Sequence, residues 1–277
     1  MQAETRLRVI SGVILALIAL AATWMGGFAF QILSVGIALL VYYEWTTMTK
    51  LVQTDIKGVA FGWLSLVAVS LLIFLDIGHM TLPLLGVAFV LSSIWVVMRS
   101  GSWWLPGGIV YAGLTAISLA EIRGDNALGL VAMIFVFAVV WATDILAYFV
   151  GRAVGGAKLA PRISPGKTWS GAIGGTVSGV IAGCAVYMSQ FSLDDARIPL
   201  LALLLSVSSQ VGDLFESYIK RRFGAKDSSK LIPGHGGVMD RVDGLVFACF
   251  AALLVLVVDI VATGGQVASL GALLLQP

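Results

Sequence analysis

Charge is what this sequence has least of. Of its 277 residues, 12% are Asp, Glu, Lys or Arg and 59% are hydrophobic. A soluble domain carries about 25% charged residues. No soluble core of this length buries so much apolar side chain, so a water-soluble globular protein is excluded. The formal net charge is only +2, too weak a field to argue for nucleic acid. Cysteine is scarce too. Cys184 and Cys249 both sit inside apolar runs, which excludes a disulfide framework or a zinc motif and leaves them as small buried hydrophobes. No linker or low-complexity stretch divides the chain, so one integral membrane domain is expected over 1–277, with 1–127 anchoring and 128–262 carrying the chemistry.

What is abundant is apolar sequence in long runs. About nine are present, near 7–25, 28–48, 59–77, 80–98, 108–122, 128–150, 171–190, 198–219 and 244–262. Most approach the ~20 residues a helix needs to cross the hydrocarbon. The expected fold is therefore all-α, a polytopic transmembrane helical bundle. The fifth run is short enough to be re-entrant. The first follows Arg6 and Arg8 and reads as an uncleaved anchor rather than a signal peptide. With the N-terminus in the cytoplasm, fifteen of the seventeen Lys and Arg residues fall on the inside, and only Arg123 and Arg197 fall outside. That asymmetry predicts the orientation.

The first four runs are nearly free of charge, and polar residues gather after residue 140. On the eighth run, Ser206, Ser209, Gln210, Asp213, Glu216, Ser217 and Lys220 fall within an arc of about 120° at helical spacing. A carboxylate near the bilayer centre costs at least ~2.5–3.5 kcal/mol, so this stripe faces protein, water or a cation. A structural Asp213, hydrogen-bonded inside the bundle, is the plainer reading; a metal or substrate site is the sharper one. Asp144 precedes Tyr148 and Arg152 at i+4 and i+8, which also permits a purely local contact. With Asp240 and Asp243 at the mouth of the ninth run, four carboxylates are expected at one depth near the inner leaflet. Such a set suits Mg²⁺, with Mn²⁺ as the alternative and a second cation allowed, and not zinc.

Two cytoplasmic loops look built for phosphate. "RISPGKTWSG" (162–171) offers Arg162, Lys167, Ser164 and Thr168. Its Gly-Lys-Thr is not a Walker A loop, because Pro161 stands where the first glycine belongs and no strand is expected before it. "KDSSKLIPGHGGVMDRVDG" (226–244) offers Lys226, Lys230 and Arg241, with Gly234, Gly236 and Gly237 baring backbone N–H groups to an anion. Metal-assisted phosphoryl or nucleotidyl transfer is the chemistry such a set implies. His235 reads equally as general base, phosphate donor or structural hydrogen-bonder. Separately, Gly171, Gly175, Gly179 and Gly183 recur every four residues along the seventh run. This small-residue ridge serves either intramolecular packing or dimerisation.

The segment "SYIKRRFGAKDSSKLIPGHGGVMDRVD" (217–243) resembles the signature of the phosphatidate cytidylyltransferase (CDP-diacylglycerol synthase) family. Ser217, Lys220, Arg221, Lys226, Asp227, Pro233, His235, Gly236, Gly237, Asp240, Arg241 and Asp243 fill its specified positions. The 144–171 stretch is similar as well, except that Ser170 stands where many members carry Glu. The resemblance implies that CTP and phosphatidic acid yield CDP-diacylglycerol and pyrophosphate with Mg²⁺, in a protein that is a homodimer; the basic-residue asymmetry puts the expected site on the cytoplasmic side of an inner membrane, and the weak net charge argues against nucleic acid. The resemblance implies Asp213 and Asp240 as metal ligands. Asp144, Lys167, Lys220, Lys226, Asp227, His235, Arg241 and Asp243 would then serve catalysis, and Ser164, Thr168, Arg221, Gly236 and Gly237 substrate binding. A related CTP-using enzyme for another lipid, and an ion-coupled transporter using Asp144 and Asp213, are the rivals. The transporter predicts broken mid-membrane helices in inverted halves, unlike the one-sided pile-up of polar residues here.

Overall fold

The computed structural model describes residues 2–192 and 196–263. Its helices are α1 (Gln2–Met25), α2 (Gly27–Met48), α3 (Leu51–Thr54), α4 (Ile56–Phe74), α5 (Thr81–Arg99), α6 (Trp104–Arg123), α7 (Ala127–Val154), α8 (Trp169–Met188), α9 (Arg197–Arg222) and α10 (Met239–Thr263). Among the described residues, eight helical segments are long and apolar enough to cross a membrane, and α1 adds a shorter apolar stretch, Val9–Met25. The chain is thus an all-α integral membrane protein of roughly nine spans. The fifth span is not short: α6 runs for 20 residues, because Trp104, Leu105 and Pro106 extend the helix toward its N-terminus.

One element departs from the helical expectation. β1 (Lys158–Ala160) and β2 (Ser164–Thr168) form an antiparallel hairpin between α7 and α8. Gly166-Lys167-Thr168 therefore lies on a hairpin strand, a setting unlike a phosphate-binding loop fed by a parallel sheet.

The chain divides into two compact units. The first holds the chain up to Ala120 together with Arg222–Arg241, and the second holds Glu121–Arg221 together with the chain from Val242 on. The glycine-rich loop thus groups with the N-terminal helices.

In the first unit, α2 supplies the centre of the core. Val41, Tyr42 and Trp45 are almost wholly buried, with Val59, Leu66 and Val69 of α4 and Leu105 and Ile109 of α6. Trp45 stacks on Tyr111 with ring centroids 5.3 Å apart, and its Nε1 donates to the Trp104 carbonyl at 2.8 Å. Buried aromatics carry large contact area and need their polar atom paired, and Trp45 meets both conditions. Asp55 caps α4 by accepting from the Gly58 N–H at 3.0 Å, and its other oxygen accepts from Trp95 Nε1 at 2.9 Å.

In the second unit, α7 and α8 pair along much of their length. The glycine ridge explains it. A Cβ on Gly171 would come 2.6 Å from the Ala147 carbonyl oxygen, one on Gly175 2.6 Å from that of Thr143, and one on Gly183 2.7 Å from Val139 Cγ2. Only glycine admits so close a backbone approach, and in lipid it is such packing, not hydrophobic transfer, that joins helices. The ridge is thus used inside the chain, while Ile173, Val177 and Ile181 on the rest of α8 remain exposed.

Candidate active-site elements

The polar stripe of α9 finds a partner at nearly every turn within the second unit. Ser206 Oγ lies 2.7 Å from Thr143 Oγ1 of α7, and Gln210 Nε2 donates to Thr176 Oγ1 of α8 at 2.8 Å. One turn on, Asp213 Oδ2 meets Lys167 Nζ of β2 at 2.5 Å. Glu216, fully buried, pairs with Lys220 at 2.8 Å. The first contacts are neutral and structural. The last two are charged.

Asp213 and Lys167 differ from Glu216 in one respect that matters for chemistry. Their side chains keep 33% and 27% exposure, so both remain within reach of a ligand. Asp243 of α10 is surrounded by Asp213, Glu216, Lys220 and the Gly244 N–H, to which its Oδ1 bonds at 2.9 Å. Carboxylates and two lysines alternate here, so the charges of one sign are largely answered by those of the other.

The hairpin delivers Lys167, and its geometry is set locally. Thr168 is buried, caps α8 by accepting from the Gly171 N–H at 3.1 Å, and contacts Ser170 Oγ at 3.0 Å. Ser170 in turn donates to the Gly155 carbonyl, which anchors α8 to the end of α7. Ser164 is half-buried on β2, and Arg221 Nε reaches the Ile163 carbonyl at 3.4 Å. On α7, Asp144 is exposed and Arg152 donates to Tyr148 Oη at 2.7 Å.

In the first unit, the glycine-rich loop is organised around two carboxylates. Asp240 Oδ2 accepts from the Ser228 N–H at 2.8 Å, from the Ser228 hydroxyl at 2.9 Å and from the Gly237 N–H at 2.8 Å. The second carboxylate belongs to Glu44, wholly buried on α2. Its Oε1 accepts from Ser229 Oγ at 2.6 Å and the Val238 N–H at 2.8 Å, and its Oε2 accepts from Ser228 Oγ at 3.0 Å and the Met239 N–H at 2.7 Å. The N–H groups bared by this loop at 228 and 237–239 are thus turned onto the protein's own carboxylates. The glycines are needed for separate reasons: Gly236 sits at φ +82°, and a Cβ on Gly237 would stand 2.5 Å from Glu44 Oε1.

His235 Nδ1 lies 2.6 Å from Ser11 Oγ of α1, and Ser11 also reaches the Pro233 carbonyl at 3.1 Å. Lys226, Asp227 and Arg241 are exposed. Among the described residues, no three His, Cys, Asp or Glu side chains cluster as a ready-made metal site. Neither Glu44 nor Ser11 was singled out by sequence. Glu44 carries a signal nonetheless, since a lone acid inside an apolar run must find buried partners.

The model of the family described as "Cytidylyltransferase family" matches residues 6–259. A protein of Brucella abortus named phosphatidate cytidylyltransferase is 50% identical over 252 residues, covering 90% of this chain and 91% of its own. Proteins of the same name from Haemophilus influenzae and Bacillus subtilis are 35% and 32% identical, covering 87% and 88% of this chain and 94% of theirs. A match of that extent takes in both units, the hairpin and the glycine-rich loop, and the chain belongs to the cytidylyltransferase family.

Proposed function

We propose that the protein transfers the cytidylyl group of CTP to phosphatidic acid, giving CDP-diacylglycerol and pyrophosphate. The observation that carries the reading is the charged end of the α9 stripe, where Asp213, Lys167, Glu216, Lys220 and Asp243 gather in an otherwise apolar bundle, with Glu216 buried and Asp213 and Lys167 partly exposed. The relatives named above bear the name of this activity.

A phosphate oxygen of phosphatidic acid attacks the α-phosphorus of CTP. The bond from that phosphorus to the bridging oxygen breaks, and pyrophosphate leaves with the electron pair. Phosphate is already nucleophilic at neutral pH, so positioning and charge neutralisation carry the step. Lys167 exchanges its carboxylate partner for a phosphate oxygen, and Lys220, Lys226 and Arg241 hold the remaining phosphate charge. Arg221 and Ser164 contribute at the rim, and Thr168 fixes Lys167 by capping α8. Asp243 and Asp144 orient these bases.

The donor set is compatible with a hard divalent cation. Mg²⁺ uses one or two protein carboxylates and fills its remaining positions with substrate phosphates and water. Asp213, half-exposed, and Asp240, whose Oδ2 is steadied by three donors as metal-ligating carboxylates commonly are, are the two assigned to it, each judged on its own surroundings. When bound, Mg²⁺ neutralises charge on the phosphates. The charge asymmetry of the loops supports an active site on the cytoplasmic side of an inner membrane. A homodimer is the assembly that family resemblance implies.

The deciding experiment is pyrophosphate release by the purified protein in detergent, with CTP and phosphatidic acid each omitted in turn. Release that needs both is expected. Release without phosphatidic acid, or none with Mg²⁺ and both substrates, overturns the reading.

A further inference from the structure

Glu44 accepts four hydrogen bonds within the first unit, and the transfer chemistry described above makes no use of it. It lies in α2, 184 residues before Ser228 and 195 before Met239. A charged carboxylate buried without partners is expensive enough to unfold a segment or lose its charge. Here both oxygens take two donors each. Two of the four donors are backbone N–H groups at the start of α10, where the helix dipole also favours negative charge. The other two are the hydroxyls of the adjacent Ser228 and Ser229. Ser228 Oγ has a single proton and stands 3.0 Å from Glu44 and 2.9 Å from Asp240. The two carboxylates thus share one hydroxyl, and the position of Asp240 is tied to that of Glu44.

We infer that Glu44 is a positioning residue for cytidylyl transfer: from α2 it clamps both ends of the 228–239 loop, and so fixes Asp240, Lys226 and Arg241 where the reaction needs them. The inference rests on the reading that this loop serves the reaction. The clamp joins Ser228 and Ser229 at one end to Val238 and Met239 at the other, enclosing residues 230–237 between them. That enclosed stretch is pinned once more by Ser11 at Pro233 and His235. Gly237 is glycine because the clamp passes through the space a Cβ would fill.

Glutamine cannot replace Glu44. Whichever way its amide turns, the NH₂ group faces a pair of donors that includes a backbone N–H unable to turn away, and one buried donor is left unpaired. Aspartate keeps the charge but is shorter by about 1.5 Å, so it does not restore the four bonds. The role therefore demands both acceptor number and reach.

The test compares Glu44→Gln, Glu44→Asp and Ser229→Ala with the wild-type protein in detergent, reading kcat and KM for CTP together with the rate of tryptic cleavage at Lys226 and Lys230. Glu44→Gln is expected to lose kcat by ~10²-fold, the cost of an ångström-scale misplacement, with a smaller change in KM and faster loop cleavage. Glu44→Asp is expected not to rescue it. Ser229→Ala, which removes one donor from a part-buried hydroxyl and threatens no core, is expected to lose about tenfold and to carry the test if the Glu44 variants fail to insert. The double variant should be no worse than Glu44→Gln alone, since both act through one clamp. Full kcat in Glu44→Gln or Ser229→Ala overturns the inference, as does lost kcat with unchanged loop cleavage. Lys226→Ala separates the two layers: if it keeps full rate, the loop is not part of the machinery and the reading beneath falls; if it loses rate while Glu44→Gln does not, only the positioning role falls.

Discussion

Lys167 Nζ stands 2.5 Å from Asp213 Oδ2, linking the β hairpin to the middle of α9. With about a third of each side chain exposed, this ion pair is screened and contributes little to stability. Its value is readiness. Under the proposed reaction each charge would exchange its present partner for another, Lys167 for a phosphate oxygen and Asp213 for a cation.

Asp213→Asn is accordingly expected to lower turnover by at least ~10²–10³-fold while the protein still inserts and elutes as before. Its Mg²⁺ requirement should shift to higher concentration. Rates measured across a Mg²⁺ titration decide it: a wild-type rate at limiting Mg²⁺ removes Asp213 from the metal assignment.

Gly175→Leu tests a structural claim. The ridge of α8 has no room there, with the Thr143 carbonyl 2.6 Å and Ala147 Cβ 2.8 Å from a built Cβ. Overpacking of this kind costs about 1–3 kcal/mol or more. The melting temperature in detergent should fall by several degrees, whereas Ile173→Leu on the exposed side of the same helix should leave it unchanged. Equal melting temperatures for both would mean that the α7–α8 contact is not what holds the second unit.

Much of this was readable from sequence for one reason: membrane insertion penalises exceptions. The α9 stripe was visible because seven polar residues on one arc cannot face lipid, and the structure gives them Thr143, Thr176 and Lys167 as partners. The glycine ridge was visible too, but its partner was not, since spacing says that a helix approaches and not which one. The hairpin escaped because Pro165 and Gly166 argue against a strand, and only pairing with Lys158–Ala160 makes one. Glu44 escaped because a single acid has no periodicity, and its four donors lie far away along the chain.

The charge asymmetry predicts that the 226–244 loop faces the cytoplasm. Leu231 is 46% exposed on this loop and is not among the side chains assigned to chemistry. A cysteine at Leu231, in a protein lacking Cys184 and Cys249, is expected to react with an impermeant thiol reagent in inside-out vesicles and not in right-side-out cells. The reverse pattern would overturn the orientation and, with it, access to cytoplasmic CTP.

The order of the chemistry is the remaining question, and His235 is where it can be tested. A ping-pong route needs a side chain that carries the cytidylyl group covalently. Cys249 is buried and Cys184 half-buried in apolar helices. Ser228 and Ser229 are engaged with carboxylates of the clamp. That leaves His235, whose Nδ1 is held 2.6 Å from Ser11 Oγ. A ring so tethered is suited to fixing the turn or donating to a phosphate. A sequential mechanism is therefore expected, with intersecting initial-rate lines and no exchange of labelled pyrophosphate into CTP unless the lipid is present. His235→Gln should keep measurable activity, reduced by ~10²-fold if the ring supplies a transition-state hydrogen bond, and Ser11→Ala should lose less. The decisive observation is made on denatured protein after incubation with α-³²P-labelled CTP. Label retained on wild type and absent from His235→Gln would name His235 as a nucleophile and make the reaction a double displacement; an unlabelled wild type with intersecting lines leaves direct attack by the lipid phosphate as the route.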